Sequence, residues 1–136
     1  MTDLRIGVVG IPGKWSTEVL ADALDAQTGF RCVVDMADVV LDLEKKTLIA
    51  GQTDLCDLDG IVVKKISQTY SPATLDRLEM LRLAEASGTK IFSSTRSILG
   101  LVNRLSCTVT LANAGIPMPA TCVSESEDEA LAAVLR

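Results

Sequence analysis

The stretch that decides the fold is Asn103-Arg-Leu-Ser-Cys-Thr-Val-Thr-Leu-Ala-Asn-Ala-Gly-Ile-Pro-Met-Pro-Ala-Thr121. Gly115 suits a left-handed helix terminus, and Pro117 and Pro119 forbid helix continuation, so the stretch predicts a helix stopped at a glycine and a stiff exit into extended chain. It marks a change of domain, with residues 1–115 before it and 116–136 after it. Working back to the N-terminus, Leu4 to Val9 predicts a central parallel strand, followed by the loop Gly10-Ile-Pro-Gly-Lys-Trp-Ser-Thr-Glu18 and a helix capped by Ser16 or Thr17. Phe30 to Asp35 predicts a second strand after a helix stop at Gly29. The short spacing of Asp38–Glu44 and Thr47–Ala50 predicts an inserted β-hairpin. Gly60 to Ile66 predicts a further buried strand, and Ser71-Pro72 places an N-cap and N1 pair ahead of a helix reaching about Ser87. Lys90 to Ser93 is a short strand, Ser94 or Thr95 starts another helix, Thr121 to Ser124 is extended, and Ser126-x-x-Glu129 caps a last helix. The alternation makes this an α/β protein: an open, mainly parallel sheet with helices on both faces, plus the hairpin.

Composition excludes several functions. The 136 residues are 48% hydrophobic and only 3% aromatic, so the core is built from Val, Ile, Leu and Ala. A formal charge of -5 argues against a nucleic-acid partner, which needs a concentrated basic face. Absence of histidine removes the commonest general base and metal ligand. Cys32, Cys56, Cys107 and Cys122 show no Cys-x-x-Cys spacing, so buried, reduced thiols and a cytoplasmic setting are expected. No apolar run approaches the ~20 residues of a membrane span, and no leader precedes the first strand; a soluble protein is expected.

Candidate binding residues fall at two strand ends, because open α/β sheets place ligands beyond the carboxyl ends of their strands. The first group is Gly10, Gly13, Lys14, Trp15, Ser16 and Thr17. Its glycines match neither the dinucleotide fingerprint nor the P-loop, leaving backbone N–H groups, Lys14 and a helix start as an anion contact, with a plain tight turn as the structural alternative. Trp15 suits either a ligand cover or a hydrophobic staple. The second group is Lys64, Lys65, Ser67 and Gln68, for which solvated strand-end lysines are the alternative. Asp54, Asp57 and Asp59 read as a solvated acidic loop or short helix, not a metal site.

Taken in order, these elements and the Gly115-Ile-Pro-Met-Pro-Ala-Thr121 segment resemble the N-terminal part of ATP-grasp ligases of the RimK and glutathione-synthetase-like type, a Rossmann-like pre-ATP-grasp domain. The family helix has the pattern Asp-Lys-x6-Leu-x3-Gly-Ile-Pro-x-Pro-x-Thr; Asn103-Arg104, Leu111 and Gly115 to Thr121 stand in those places. Asp59-Gly-Ile-Val-Val-Lys-Lys-Ile-Ser67 is similar to the family's Asp-Ala-Val-Leu-Val-Arg strand end, and Gly-Ile-Pro-Gly-Lys-Trp-Ser to the opening of a bacterial subgroup, the GAK-system ATP-grasp proteins. The resemblance implies a parent protein that uses ATP and Mg to phosphorylate a small-molecule or peptide carboxylate and lets an amine attack the acyl phosphate. It implies an ATP-grasp lobe absent from these 136 residues, so that this piece alone neither catalyses nor binds ATP and Mg tightly. It places Arg104 where a relative's Lys reaches nucleotide; Arg keeps the charge with a different shape. Homo-oligomerisation is expected from apolar surface meant for the other lobe. The competing expectation is a non-enzymatic α/β module that binds a small ligand or a partner.

Overall fold

The computed structural model describes residues 3–135. It divides into two compact units, through Val102 and from Asn103 onward.

In the first unit, β1 (Ile6–Val9), β2 (Val33–Val34), β6 (Gly60–Val63) and β7 (Lys90–Phe92) form an all-parallel sheet in the order β2-β1-β6-β7. Helix α1 (Trp15–Thr28) carries the chain from β1 to β2 and α2 (Pro72–Ser87) carries it from β6 to β7, in the opposite direction across the sheet. Right-handed crossovers running in opposite directions put the two helices on opposite faces. Side chains alternate accordingly: Val9, Ile61 and Ile91 pack with Leu81 and Ala84 of α2, while Val8, also fully buried, points the other way. The expected parallel sheet is therefore present, with its two central strands apolar and covered.

Between β2 and β6 the chain makes a second, antiparallel sheet, β3 (Val40–Asp42), β4 (Thr47–Ala50) and β5 (Thr53–Asp54). The expected hairpin is β3-β4, and sequence periodicity missed the two-residue β5. This sheet shares the main core, because Leu48 and Leu55 are fully buried alongside Val39, Leu58 and Leu81. Asp54, expected to be merely solvated, accepts from Leu48 N–H (3.1 Å) and Cys56 N–H (2.9 Å) and so fixes the exit of the hairpin. Asp59 accepts from Arg5 N–H at 2.7 Å. Both carboxylates satisfy backbone donors, as acidic residues in turns commonly do.

Several boundaries differ from the sequence expectation. The second strand shortens from Phe30–Asp35 to Val33–Val34, since only those residues pair with β1. Lys14, not Ser16 or Thr17, precedes α1; Thr17 lies inside the helix with 2% exposure, its methyl and hydroxyl packed toward Gly10. The expected cap of α2 is present as a reciprocal pair: Ser71 accepts from the third helical residue and Thr74 Oγ1 accepts from Ser71 N–H. Ser94 starts α3 (Thr95–Val102), where its hydroxyl accepts from Ser97 N–H, and Thr95 donates to Glu85 of α2. The thiols are free, but none is fully buried and Cys122 is exposed, which corrects the expectation of four buried cysteines.

In the second unit, α4 (Arg104–Asn113) is capped by Asn103, whose side-chain oxygen accepts from Ser106 N–H at 3.0 Å. Gly115 takes φ 70°, a left-handed conformation costly for any residue with a Cβ, and Ile116 N–H returns to Leu111 O at 3.1 Å. The helix stop and proline-locked exit are therefore as expected. Leu105, Val109, Ile116, Met118 and Val123 line an apolar groove of about 470 Å³ between α4 and the extended chain. Residues 121–124, expected to be extended, join no helix or sheet, and α5 (Glu127–Val134) starts at Ser126, which accepts from Glu129 N–H.

Candidate functional site

The sheet order creates a switch point, since the chain leaves β1 toward one edge and β6 toward the other, and open α/β sheets hold ligands in the crevice at the carboxyl ends of such strands. The two groups singled out in sequence lie there. One atom joins them at their base, since Val9 O accepts from both Lys64 N–H (2.8 Å) and Lys65 N–H (3.1 Å). Gly10 N–H donates to Val34 O at 3.0 Å, which anchors the other side of the β1 loop.

Within the β1 loop, Gly10, Gly13, Lys14, Trp15, Ser16 and Thr17 separate into different environments. Gly10 is a close-approach position: a Cβ there would come within 2.7 Å of both the methyl and the hydroxyl of Thr17. Thr17 is thus occupied in packing. Trp15 is 79% exposed, so it forms no staple, and Lys14 is exposed while Ser16 is half-buried.

The N–H of Gly13 already has an anion. Glu18 Oε1 accepts it at 2.6 Å, Glu18 Oε2 accepts from Arg31 Nη2 at 2.5 Å, and Arg31 Nε donates to Asp22 at 2.9 Å. The Gly13 hydrogen bond, and after it the Arg31 guanidinium, hold the Glu18 carboxyl below its ordinary value; Arg31 is raised by Glu18 and then Asp22. The loop therefore offers side chains more than a free amide cradle. Glu18 was not among the sequence candidates, although a carboxylate four residues after Lys14 in a helix's first turn is the usual partner for such an N–H.

On the β6 side, Lys64, Lys65 and Gln68 are exposed, whereas Ser67 turns toward α2. Ser67 Oγ receives hydrogen bonds from Thr74 Oγ1 (3.1 Å) and Arg77 Nη1 (3.0 Å). Among the described residues, Lys14, Lys64 and Lys65 have no ion-pair partner. Lys14 after β1 and Lys64 and Lys65 after β6 thus carry unpaired charges in the loops at the carboxyl ends of two neighbouring strands, on a chain of net charge -5.

No group of three or more Cys, Asp or Glu among the described residues is arranged to hold a metal ion. With no phosphate-binding glycine fingerprint and with the Gly13 N–H taken by Glu18, the residues at this crevice do not fit a Mg-nucleotide. Arg104 is exposed in the first turn of α4. A separate concavity of about 690 Å³, mainly apolar, lies at the amino ends of β6 and β7, where Leu4, Leu24, Val62 and Phe92 line it. No described helix is long and apolar enough to cross a membrane.

The fold is that of about half of a solved ATP-grasp ligase. The structure superimposes on the ATP-grasp ligase PsnB, solved with a phosphomimetic variant of minimal precursor, Mg and ADP, with a TM-score of 0.71 and 17% identity over 97% of this chain and 51% of PsnB. PsnB with precursor peptide PsnA2 and AMPPNP gives a TM-score of 0.67 at 16% identity, with the same coverage. In sequence, the chain is 27% identical to a tetrahydromethanopterin:alpha-L-glutamate ligase of Methanosarcina acetivorans, over 95% of its own length and 42% of that relative's. The chain thus spans less than half of this curated relative and about half of PsnB. No family model matches it. The resemblance to ATP-grasp ligases seen in sequence is borne out by these relatives.

Proposed function

We propose that the chain is the substrate-side domain of an ATP-dependent carboxylate–amine ligase acting through an acyl phosphate, with residues 1–115 as the pre-ATP-grasp domain and 116–136 beginning the ATP-grasp lobe. The observation that carries this is the shared Val9 carbonyl, which sets Lys64 and Lys65 beside the Gly10–Lys14 loop at the switch point. Lys14, Lys64 and Lys65 draw the acidic substrate to the crevice, and Gln68 offers an amide to orient it. A small-molecule or peptide carboxylate fits this chemistry: the relatives are a glutamate ligase and a ligase solved with a precursor peptide. PsnB is solved with Mg and ADP and with AMPPNP; ATP and Mg belong in this proposal to residues of an ATP-grasp lobe other than those described, which leaves this chain inactive alone. Arg104 is the nearest counterpart of a nucleotide contact in this chain.

Exposed apolar side chains such as Phe92, Leu101 and Val134 support self-association, and the wide spacing of the four cysteines supports a reducing, cytoplasmic setting. The test is an amide-resolved NMR titration of the chain with L-glutamate and, separately, with ATP-Mg. Glutamate is expected to shift Gly10, Lys14, Lys64 and Lys65 saturably, and ATP-Mg to give no saturable shifts there. Saturable ATP-Mg binding at the crevice, or no response to glutamate, would overturn the proposal.

A further inference from the structure

The connection from β6 to α2 runs from Lys64 to Ser71, longer than most strand-to-helix loops, and such loops hold one shape only when something ties them down. Its first two residues are tied from below by Val9 O. Its middle is tied from the helix: Arg77 Nη1 donates to Ile66 O at 3.2 Å and to Ser67 Oγ at 3.0 Å, and Thr74 Oγ1 donates to the same hydroxyl at 3.1 Å. Thr74 is itself 3% exposed and accepts from Ser71 N–H, so the anchor is rooted in the helix cap. Backbone on both sides of the Lys64–Lys65 pair is fixed, while the two ammonium groups remain without an ion-pair partner among the described residues.

We infer that Arg77 is a positioning residue: its guanidinium, held over the Ile66–Ser67 backbone, sets where Lys64 and Lys65 present their charges to an anionic ligand. The inference rests on the crevice being the acid-binding site. Arg77 forms no ion pair among the described residues, so its charge is available to hold the loop, and one Nη1 reaching two acceptors is a geometry that a lysine ammonium reproduces only in part. Prepositioned cations bind an anion without first having to order their loop.

The experiment compares the chain with its Arg77→Gln and Arg77→Lys variants by three readouts: thermal melting, amide hydrogen exchange at Ile66–Ser71, and L-glutamate affinity from the Lys64 and Lys65 NMR shifts. Arg77→Gln is expected to speed exchange at Ile66–Ser71, weaken glutamate binding about tenfold and lower melting by several degrees, with Arg77→Lys recovering part of the affinity and of the melting temperature. Unchanged exchange in Arg77→Gln, or a loosened loop with unchanged affinity, overturns the role of Arg77. Equal losses of melting temperature and affinity in the two variants also overturn it, since that is a purely structural effect. If the parent chain binds no glutamate, the site assignment fails first, and the exchange comparison shows separately whether Arg77 orders the loop.

Discussion

Replacing Gly10 with Ala is a direct test of how tightly the β1 loop is built. The added Cβ would lie 2.7 Å from Thr17 Cγ2 and from Thr17 Oγ1, and 3.3 Å from its Cβ. Thr17 is 2% exposed inside α1, so it has little room to rotate away, and relief requires the helix start and the strand end to move apart. Overpacking of this kind costs about 1–3 kcal/mol. Because Gly10 is not among the positive-φ glycines, alanine also gains about 0.4–1 kcal/mol by restricting the unfolded chain. The clash wins, leaving a net loss of about 1–2 kcal/mol, or roughly 4–8 °C in Tm for a chain of this size. Urea unfolding should be followed by far-UV circular dichroism, because Trp15 is too exposed to be a sensitive fluorescence probe. In Gly10→Ala/Thr17→Ala only the Cβ contact at 3.3 Å remains, so the pair should couple favourably by at least about 1 kcal/mol. A Gly10→Ala loss below about 0.5 kcal/mol, or effects of the two changes that simply add, would refute the close approach as its cause.

Leu81→Ala should cost about 2–5 kcal/mol in the same unfolding assay, because the side chain is fully buried among Val9, Ile61 and Ile91. The lowered Glu18 value sets a pH dependence: its interactions with Gly13 and Arg31 are complete above the unfolded carboxyl's pKa of about 4.3 and are lost as pH falls through the lower folded value. Gly13 amide exchange relative to the intrinsic rate should therefore keep its protection down to the unfolded carboxyl's pKa and lose it only at lower pH, and Glu18→Gln should abolish that transition. Cys122, which is exposed, should react with a thiol reagent well before Cys32, whose thiol is pushed up by burial; mass spectrometry of partly labelled protein would show the order.

What was legible in the sequence was whatever rests on local chemistry. Ser71-Pro72, Ser94, Ser126 and Gly115 mark helix ends through their own backbone preferences, and the structure has each of those ends. The parallel sheet followed from continuous apolar runs such as Gly60–Val63. Less legible was anything decided by partners distant in the chain. The second strand kept only Val33 and Val34 because pairing with β1 extends no further. Ser16 and Thr17 are both good capping residues, but the burial of Thr17 against Gly10 moves the helix start back to Lys14. At the crevice, candidate lysines could be found from their place after a strand. Glu18 carried a local signal in its first-turn position, but Arg77 could not be found, because its importance depends on reaching Ser67 from a helix whose rotation the sequence does not fix.

The small antiparallel sheet has a consequence for anyone wishing to trim this domain. Thr89, immediately before β7, is 2% exposed and donates to Leu55 O at 3.0 Å, while Leu48 and Leu55 fill the same interior as α2. Residues 36–57 are therefore a wall of the building and not a porch. A shortened protein lacking them would expose the inner side of α2 and strand the Thr89 hydroxyl, so a minimal version should keep the hairpin and seek its economies elsewhere.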